Sequence, residues 1–210
     1  MTQADLFAKG EADEWYKRNK SVSRLPDPVM EAIATCQLHP QTILEIGCGN
    51  GWRLAEIKRQ YAPHHVAGFD LSERAFKERV VPTVFLAEAL GATKALSYIR
   101  AGYYDMVIFG FCLYLVDRED LLMLAGYTDR ILKDGGHIVI HDFGNNAAPF
   151  KRAYAHKDGV FSYHMNHADL WLAHPAYRRI MRKVDNKDTE VCVDVLHKDM
   201  QNAFPTREPL

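Results

Sequence analysis

The 210-residue chain lacks the features that tie a protein to a charged polymer or a membrane. Its 26 lysines and arginines nearly cancel its 27 aspartates and glutamates, leaving a formal net charge of −1. Such a balance gives no electrostatic footprint for nucleic acid or an anionic lipid surface. No apolar run approaches the roughly 20 residues of a membrane span, and the N-terminus has no signal-peptide core. The four cysteines, Cys36, Cys48, Cys112 and Cys192, are scattered and form no Cys-x-x-Cys pair. Free thiols in a reducing cytoplasm are the expectation, and zinc-type ligand spacing is not matched. There is no internal repeat and no low-complexity linker. With 48% hydrophobic residues, the chain can bury a good core as one domain, residues 1–210.

What is present centres on Thr42-Ile-Leu-Glu-Ile-Gly-Cys-Gly-Asn-Gly51. A short aliphatic run reads as a buried strand, and glycines follow at 47, 49 and 51. A helical pattern then begins at once, with Leu54, Ile57 and Tyr61 on one face. Strand, glycine turn and helix bring bare backbone N–H groups against a nucleotide-like ligand. The third dinucleotide glycine and a Walker lysine are both missing, which argues against a pyrophosphate or triphosphate and disfavours a nicotinamide oxidoreductase.

The acidic residues narrow the ligand further. Asp70 ends a second strand, His65–Asp70, about 20 residues past the turn, where a carboxylate accepts both ribose hydroxyls. Glu45 precedes the turn, where it suits a cationic amine better than a phosphate. A ligand with a ribose, a positive charge and no phosphate fits both, and S-adenosylmethionine is such a ligand.

On these residues the chain resembles the class I S-adenosylmethionine-dependent methyltransferases, strongly over residues 40–145. The resemblance implies a Rossmann-like α/β fold: a seven-stranded, mostly parallel sheet, helices on both faces, and a C-terminal antiparallel strand pair. It implies that residues 45–51, with Glu45, Gly47, Cys48, Gly49 and Gly51, cradle the methionyl part. Asp70 would bind the ribose and Leu71 would pack beside the adenine. Ala87-Glu88-Ala89, after a strand at residues 83–86, matches the family's usual Gly-Asp-Ala, so Glu88 and Ala89 would meet the adenine edge. Residues 104–111 look like strand four, and Gly110 and Phe111 at its end join the cofactor-binding set. Residues 132–143 are similar to the family's fifth strand, entered through a Gly-Gly turn.

Elsewhere the pattern predicts a helix over residues 11–19 and another over 28–36, with Pro28 in its first turn after Asp27. Together residues 1–40 read as an N-terminal helical cap, with Trp15, Tyr16 and Arg18 placed to cover the cofactor. The clearest helix is 117–133, capped by Asp117 and ended by Asp134-Gly135-Gly136. Residues 177–184 and 190–197 read as two strands, the second with Val191, Val193 and Val195 on one side. The segment 144–176 breaks the alternation and is rich in aromatics, asparagine and histidine. It reads as a lid over the substrate.

Ligands in open α/β sheets sit beyond the carboxyl ends of the strands, which selects residues 111–114 and 141–143. Methyl transfer from a sulfonium needs alignment of the nucleophile and, for a hydroxyl, a base of near-neutral pKa. His141 is the first candidate base, with Asp142 to orient it or the substrate, and equally fits a strand-end histidine satisfied by a backbone carbonyl; Tyr163 and His164 come next. The last two, like His167, also fit a packing role in the lid. No metal is expected, because the strand-four end carries no acid, although His164 and His167 could share a helix face. The expected activity is methyl transfer to an oxygen or nitrogen of a small polar metabolite, such as a sugar, a nucleotide sugar or a natural-product intermediate. The alternatives are a non-catalytic S-adenosylmethionine-binding partner subunit and a nucleic-acid methyltransferase, the latter disfavoured because residues 110–113 lack the Asn/Asp-Pro-Pro-aromatic signature.

Overall fold

The computed structural model describes residues 2–20, 26–87, 91–144, 148–186 and 190–206. In chain order the elements are α1 (Gln3–Leu6), α2 (Ala12–Asn19), α3 (Pro28–Thr35), β1 (Thr42–Ile46), α4 (Trp52–Tyr61), β2 (His65–Asp70), α5 (Glu73–Lys77), β3 (Val84–Leu86) and α6 (Gly91–Ser97). They continue with β4 (Tyr104–Gly110), α7 (Arg118–Ile131), β5 (Leu132–Phe143), β6 (Phe150–Ala153), β7 (Phe161–His164), α8 (Asp169–Leu172), β8 (Tyr177–Asn186), β9 (Val191–Lys198) and α9 (Met200–Ala203). A π-helical segment, Phe7–Glu11, joins α1 to α2, and a 3-10 turn, Leu113–Leu115, follows β4.

Seven strands form one sheet in the order β3-β2-β1-β4-β5-β9-β8. β1 to β5 are parallel, while β9 runs antiparallel to β5, and β8 antiparallel to β9. The Rossmann-like sheet and its C-terminal antiparallel pair are therefore both present. β1 and β4 are apolar without alternation because both faces are covered, as parallel strands require. Met106 and Ile108 pack on one face with Val29, Ile33, Leu54 and Ile57 of α3 and α4. Val107 and Phe109 pack on the other with Leu96, Leu124 and Trp171 of α6, α7 and α8. Each such fully buried side chain contributes about 1.5–3 kcal/mol.

Order reverses between β1 and β4, since β2 and β3 continue to one side and β5 to the other. That switch point opens a crevice at the carboxyl ends of the two strands. Gly47 and Phe111, the residues that follow these strands, stand at it.

Three local expectations are corrected. The helix expected over 117–133 ends at Ile131, because Leu132 already has extended angles and pairs with Tyr104. Register then jumps, Met106 pairing with His137, so Lys133 to Gly136 form an excursion with Gly135 at φ 76° rather than a helix end. Asp117 makes no capping bond to α7. Its carboxylate instead accepts the N–H groups of Gln3 and Ala4, both at 3.0 Å, and so caps α1 from far along the chain. In β9, Val193 and Val195 share one side, as the sequence pattern expects, and face α3, while Leu196 packs into the opposite layer.

The remaining two corrections concern regions rather than single elements. Residues 144–176 contain their own hairpin, β6–β7, and the helix α8. Within residues 1–40, α3 is a core helix whose Val29 and Ile33 are fully buried, and only its start, at Asp27 and Pro28, reaches the crevice with the segment up to Lys20.

Candidate active site

The glycine turn has the geometry its sequence requires. Gly47, Gly49 and Gly51 sit at φ 72°, 55° and 80°, in the left-handed region that favours glycine. A Cβ on Gly47 would lie 2.7 Å from Cys112 Cβ, and one on Gly51 would lie 2.6 Å from the methyls of Val81 and Val84. The turn is fastened to β2, with the N–H groups of Gly47 and Cys48 donating to Phe69 O at 2.9 and 3.2 Å. The Gly49 N–H donates to Asp70 Oδ2 at 2.7 Å, and the Ser72 N–H to Asp70 Oδ1 at 2.8 Å. Burial raises the Asp70 pKa, and those amides work the other way by stabilising the charge.

Glu45 lies beneath the cleft rather than in its wall. It is fully buried, and its Oε1 accepts from Arg53 Nη1. Arg53 also donates through Nε and Nη2 to Asp27, at 3.0 Å each. Asp27 in turn caps α3 by accepting the Met30 N–H. Desolvation pushes the Glu45 pKa up to about 7 against the opposing pull of Arg53. The sequence pattern assigns Glu45 to a ligand amine; the fold assigns it to a guanidinium, which a helix residue eight positions on supplies. Sequence reasoning missed Arg53 and Asp27, although Arg53 on the apolar face of α4 was a usable signal.

Three cavities follow one another along the switch point. One of about 130 Å³ has Phe69, Asp70, Leu71, Ala87, Thr93 and Leu115 in its wall. The next shares Phe7, Asp70, Leu71 and Leu115 with it and adds Trp15, Gly47 and Phe111. The third, about 430 Å³, shares Trp15, Gly47 and Phe111 with the second and reaches Cys48, Gly49, Gly110 and His141. The shared residues make them one groove, narrow and apolar at the Leu71 end and wider at the His141 end. Glu88 and Ala89 lie outside the described residues.

The N-terminal segment roofs this groove. Trp15 and Tyr16 line it, and Trp15 Nε1 donates to the Tyr114 hydroxyl at 3.2 Å. Arg18 turns away, donating to Glu11 and to the Tyr154 hydroxyl. Asp13 accepts from the Ser72 hydroxyl at 2.6 Å and from the Arg74 N–H at 2.9 Å. These are polar contacts between distant residues, and no local pattern announces them.

At the wide end, Phe111 carries φ 64°, an uncommon angle for a phenylalanine and of the kind that clusters at functional positions. Its N–H donates to His141 O at 2.8 Å, and its ring packs on Tyr114, Phe143 and His141 with centroids 5.0, 5.3 and 5.7 Å apart. Asp142 points to the other side of β5. It is almost fully buried and accepts the N–H groups of Leu113 and Phe143, both at 2.8 Å, which clamps the 3-10 turn after β4. Burial raises its pKa to about 7. The orienting partner expected for His141 is thus a carboxylate that holds backbone.

His164 is buried between Phe143 and Phe150, with ring centroids 4.0 and 4.6 Å away, and contacts Ser162 Oγ at 3.2 Å. Tyr163 occupies the other face of β7, its ring 3.9 Å from the Arg118 guanidinium. Alternation along a strand forces the two apart. His167 donates from Nδ1 to Phe143 O at 2.9 Å, and burial lowers its pKa to about 4. Among the described residues no group of three metal-ligating side chains is poised to hold an ion.

A family model described as a methyltransferase domain matches residues 15–189. No curated relative matches the chain in sequence. Solved structures share its fold. A Burkholderia thailandensis 1,6-didemethyltoxoflavin-N1-methyltransferase, solved with 1,6-didemethyltoxoflavin and S-adenosylhomocysteine, is 16% identical with TM-score 0.67 over 92% of this chain and 89% of that one. The N-methyltransferase NodS of Bradyrhizobium japonicum WM9, in complex with S-adenosylhomocysteine, is 17% identical with TM-score 0.60 over 91% and 98%. A Haloferax volcanii methyltransferase, in complex with the Trm112 activator, is 14% identical with TM-score 0.67 over 93% and 99%.

Proposed function

The chain belongs to the methyltransferase domain family and is an S-adenosylmethionine-dependent methyltransferase, and from that premise we propose that it methylates an oxygen or a nitrogen of a small polar metabolite. The observation that carries this reading is His141 in the wall of the wide cavity that also exposes Gly47 and Gly49. A titratable imidazole there faces the place where cofactor and acceptor meet.

The residues present fit S-adenosylmethionine. Three left-handed glycines let backbone approach the methionyl part without side chains in the way. Asp70, half-buried in the groove wall, accepts ribose hydroxyls. Leu71, Ala87 and Leu115 offer apolar walls to a flat base, and Glu88 and Ala89 belong to its edge by the family resemblance. Glu45, neutralised by Arg53, keeps the floor of the cleft from carrying a bare buried charge. When bound, the cofactor supplies an electrophilic methyl group on a sulfonium. His141 takes the acceptor's proton on an imidazole nitrogen, since a base of near-neutral pKa assists attack by a hydroxyl or ring N–H. Trp15 and Tyr16 exclude water from above, and Phe111 fixes the far wall. Asp142 holds the turn that carries Leu113 and Tyr114, while His164 and Tyr163 shape the lid.

Two of the structural neighbours are N-methyltransferases by name, which keeps nitrogen beside oxygen as the target. The near-neutral charge favours a small acceptor over nucleic acid. Four unpaired cysteines suit the cytoplasm, and among the described residues no helix is long and apolar enough to cross a membrane.

Calorimetry with S-adenosylmethionine, S-adenosylhomocysteine and NADH tests the cofactor, with binding expected for the first two alone. Asp70→Ala should weaken that binding by about 1–3 kcal/mol. His141→Ala should lower turnover about 10²–10⁴-fold and affect cofactor affinity far less. Absence of adenosyl binding sinks the reading, and equal loss of turnover and affinity removes His141 from the role of base.

A further inference from the structure

We infer that the acceptor is a planar aromatic or heteroaromatic molecule bearing a hydroxyl or ring N–H, and that Trp15 and Phe111 select it. The inference rests on the proposed methyl transfer and narrows its substrate from polar metabolites in general, sugars included.

Trp15, Gly47 and Phe111 are the residues common to the second and third cavities. An acceptor in the third cavity reaches the second only past them. Gly47 offers no side chain. The indole of Trp15 has its N–H donated to Tyr114, so its remaining surface is apolar ring. Phe111 is held by rings on three sides, Tyr114, Phe143 and His141, and in a left-handed backbone conformation. A well-determined phenyl in a conformation that phenylalanine avoids indicates that this ring in this place is selected.

Such a passage suits one class of molecule. A sugar entering it would strip water from several hydroxyls, each needing a replacement partner. The side chains of the three shared residues supply none. A planar ring stacks on aromatic faces and needs a partner only for its reacting atom. His141, beside Phe111 in the third cavity, is that partner. Proton chemistry agrees. A phenol-type hydroxyl ionises near pH 10, whereas a water-like hydroxyl ionises near 15.7, so an imidazole base assists the first far more effectively. Of the polar side chains in the third cavity, Asn19, Lys20 and Asn50 do not extend into the second, whose charged side chain is Asp70, the group assigned to the cofactor. They would meet substituents on the ring rather than its reacting edge.

The test is calorimetry on the full chain loaded with S-adenosylhomocysteine, titrated with 2-naphthol and separately with UDP-glucose. The expected result is binding of 2-naphthol and not of UDP-glucose. Trp15→Leu and Phe111→Leu should each weaken 2-naphthol at least tenfold more than they weaken S-adenosylhomocysteine, whose retention shows that the variant is folded. UDP-glucose binding without 2-naphthol overturns the inference and leaves the methyltransferase reading standing. So does 2-naphthol binding that neither substitution alters. Failure of S-adenosylhomocysteine to bind the wild-type protein overturns the underlying reading and takes the inference with it.

Discussion

The two ends of the groove are made in different ways. At the Asp70 end, the carboxylate and the glycine turn are fixed to each other by backbone hydrogen bonds within a stretch of about 30 residues, and side chains such as Phe7, Thr93 and Leu115 only wall the apolar pocket beside them. At the His141 end, side chains arrive from the N-terminal roof, from the starts of α3 and α4 and from the ends of β4 and β5, with the hairpin β6–β7 packed behind on Phe143. A backbone-built site depends on dihedral angles, so glycine and a strand-end carboxylate suffice to encode it. A side-chain-built site depends on which distant rings the fold brings together.

Perturbing each end should therefore give different signatures. The largest effect is expected at the charged cluster beside the glycine turn, which supports the backbone-built part of the site from the floor of the wide cavity. Arg53→Met should destabilise the fold by about 3–5 kcal/mol, because Asp27 and Glu45 would be left buried without a counter-charge. Urea unfolding measures this, and a change below about 1 kcal/mol would mean that the two carboxylates are readily neutralised by protonation.

The next effect lies beneath the side-chain-built end and is pH-dependent. His167 has its pKa lowered to about 4 by burial, below the unfolded value of about 6.5. The unfolded state binds the proton more tightly, so this stability is present above pH 6.5 and lost as pH falls toward 4. His167→Asn keeps a donor for Phe143 O and removes the titration. The variant should recover about 3 kcal/mol relative to wild type between pH 6.5 and 4, after the difference at pH 7.5 is subtracted. Glu45 and Asp142, raised to about 7, act with the opposite sign in both proteins, losing stability as pH rises from about 4 to 7. Identical pH slopes in wild type and variant would show that His167 is not buried as a neutral ring.

The smallest effect concerns the roof that joins the two ends. Asp117→Ala removes the long-range acceptor for the first N–H groups of α1, leaving the Thr2–Asp5 capping box, and should cost about 1 kcal/mol of local stability. Faster amide exchange over residues 3–7, with little change in β1 or β4, is the expected readout. Exchange that rises across the whole sheet would instead make the roof part of the global folding unit.

The strand–turn–helix from Thr42 to Tyr61, the strand-end carboxylate Asp70 and the alternation that yields a parallel sheet are all legible in the amino-acid sequence. Each depends on properties a residue carries with it: the dihedral freedom of glycine, the apolar continuity of a strand covered on both faces, and the fixed spacing of strand ends. What tertiary structure alone decided was which partner each polar or aromatic group meets. Glu45 faces Arg53, Asp117 caps α1 instead of its own helix, Asp142 clamps a turn, and alternation along β7 separates Tyr163 from His164. These pairings join residues up to 114 positions apart. Local propensity and periodicity carry no information about such distances, so the side-chain half of the site took shape only when the sheet, roof and hairpin were brought together.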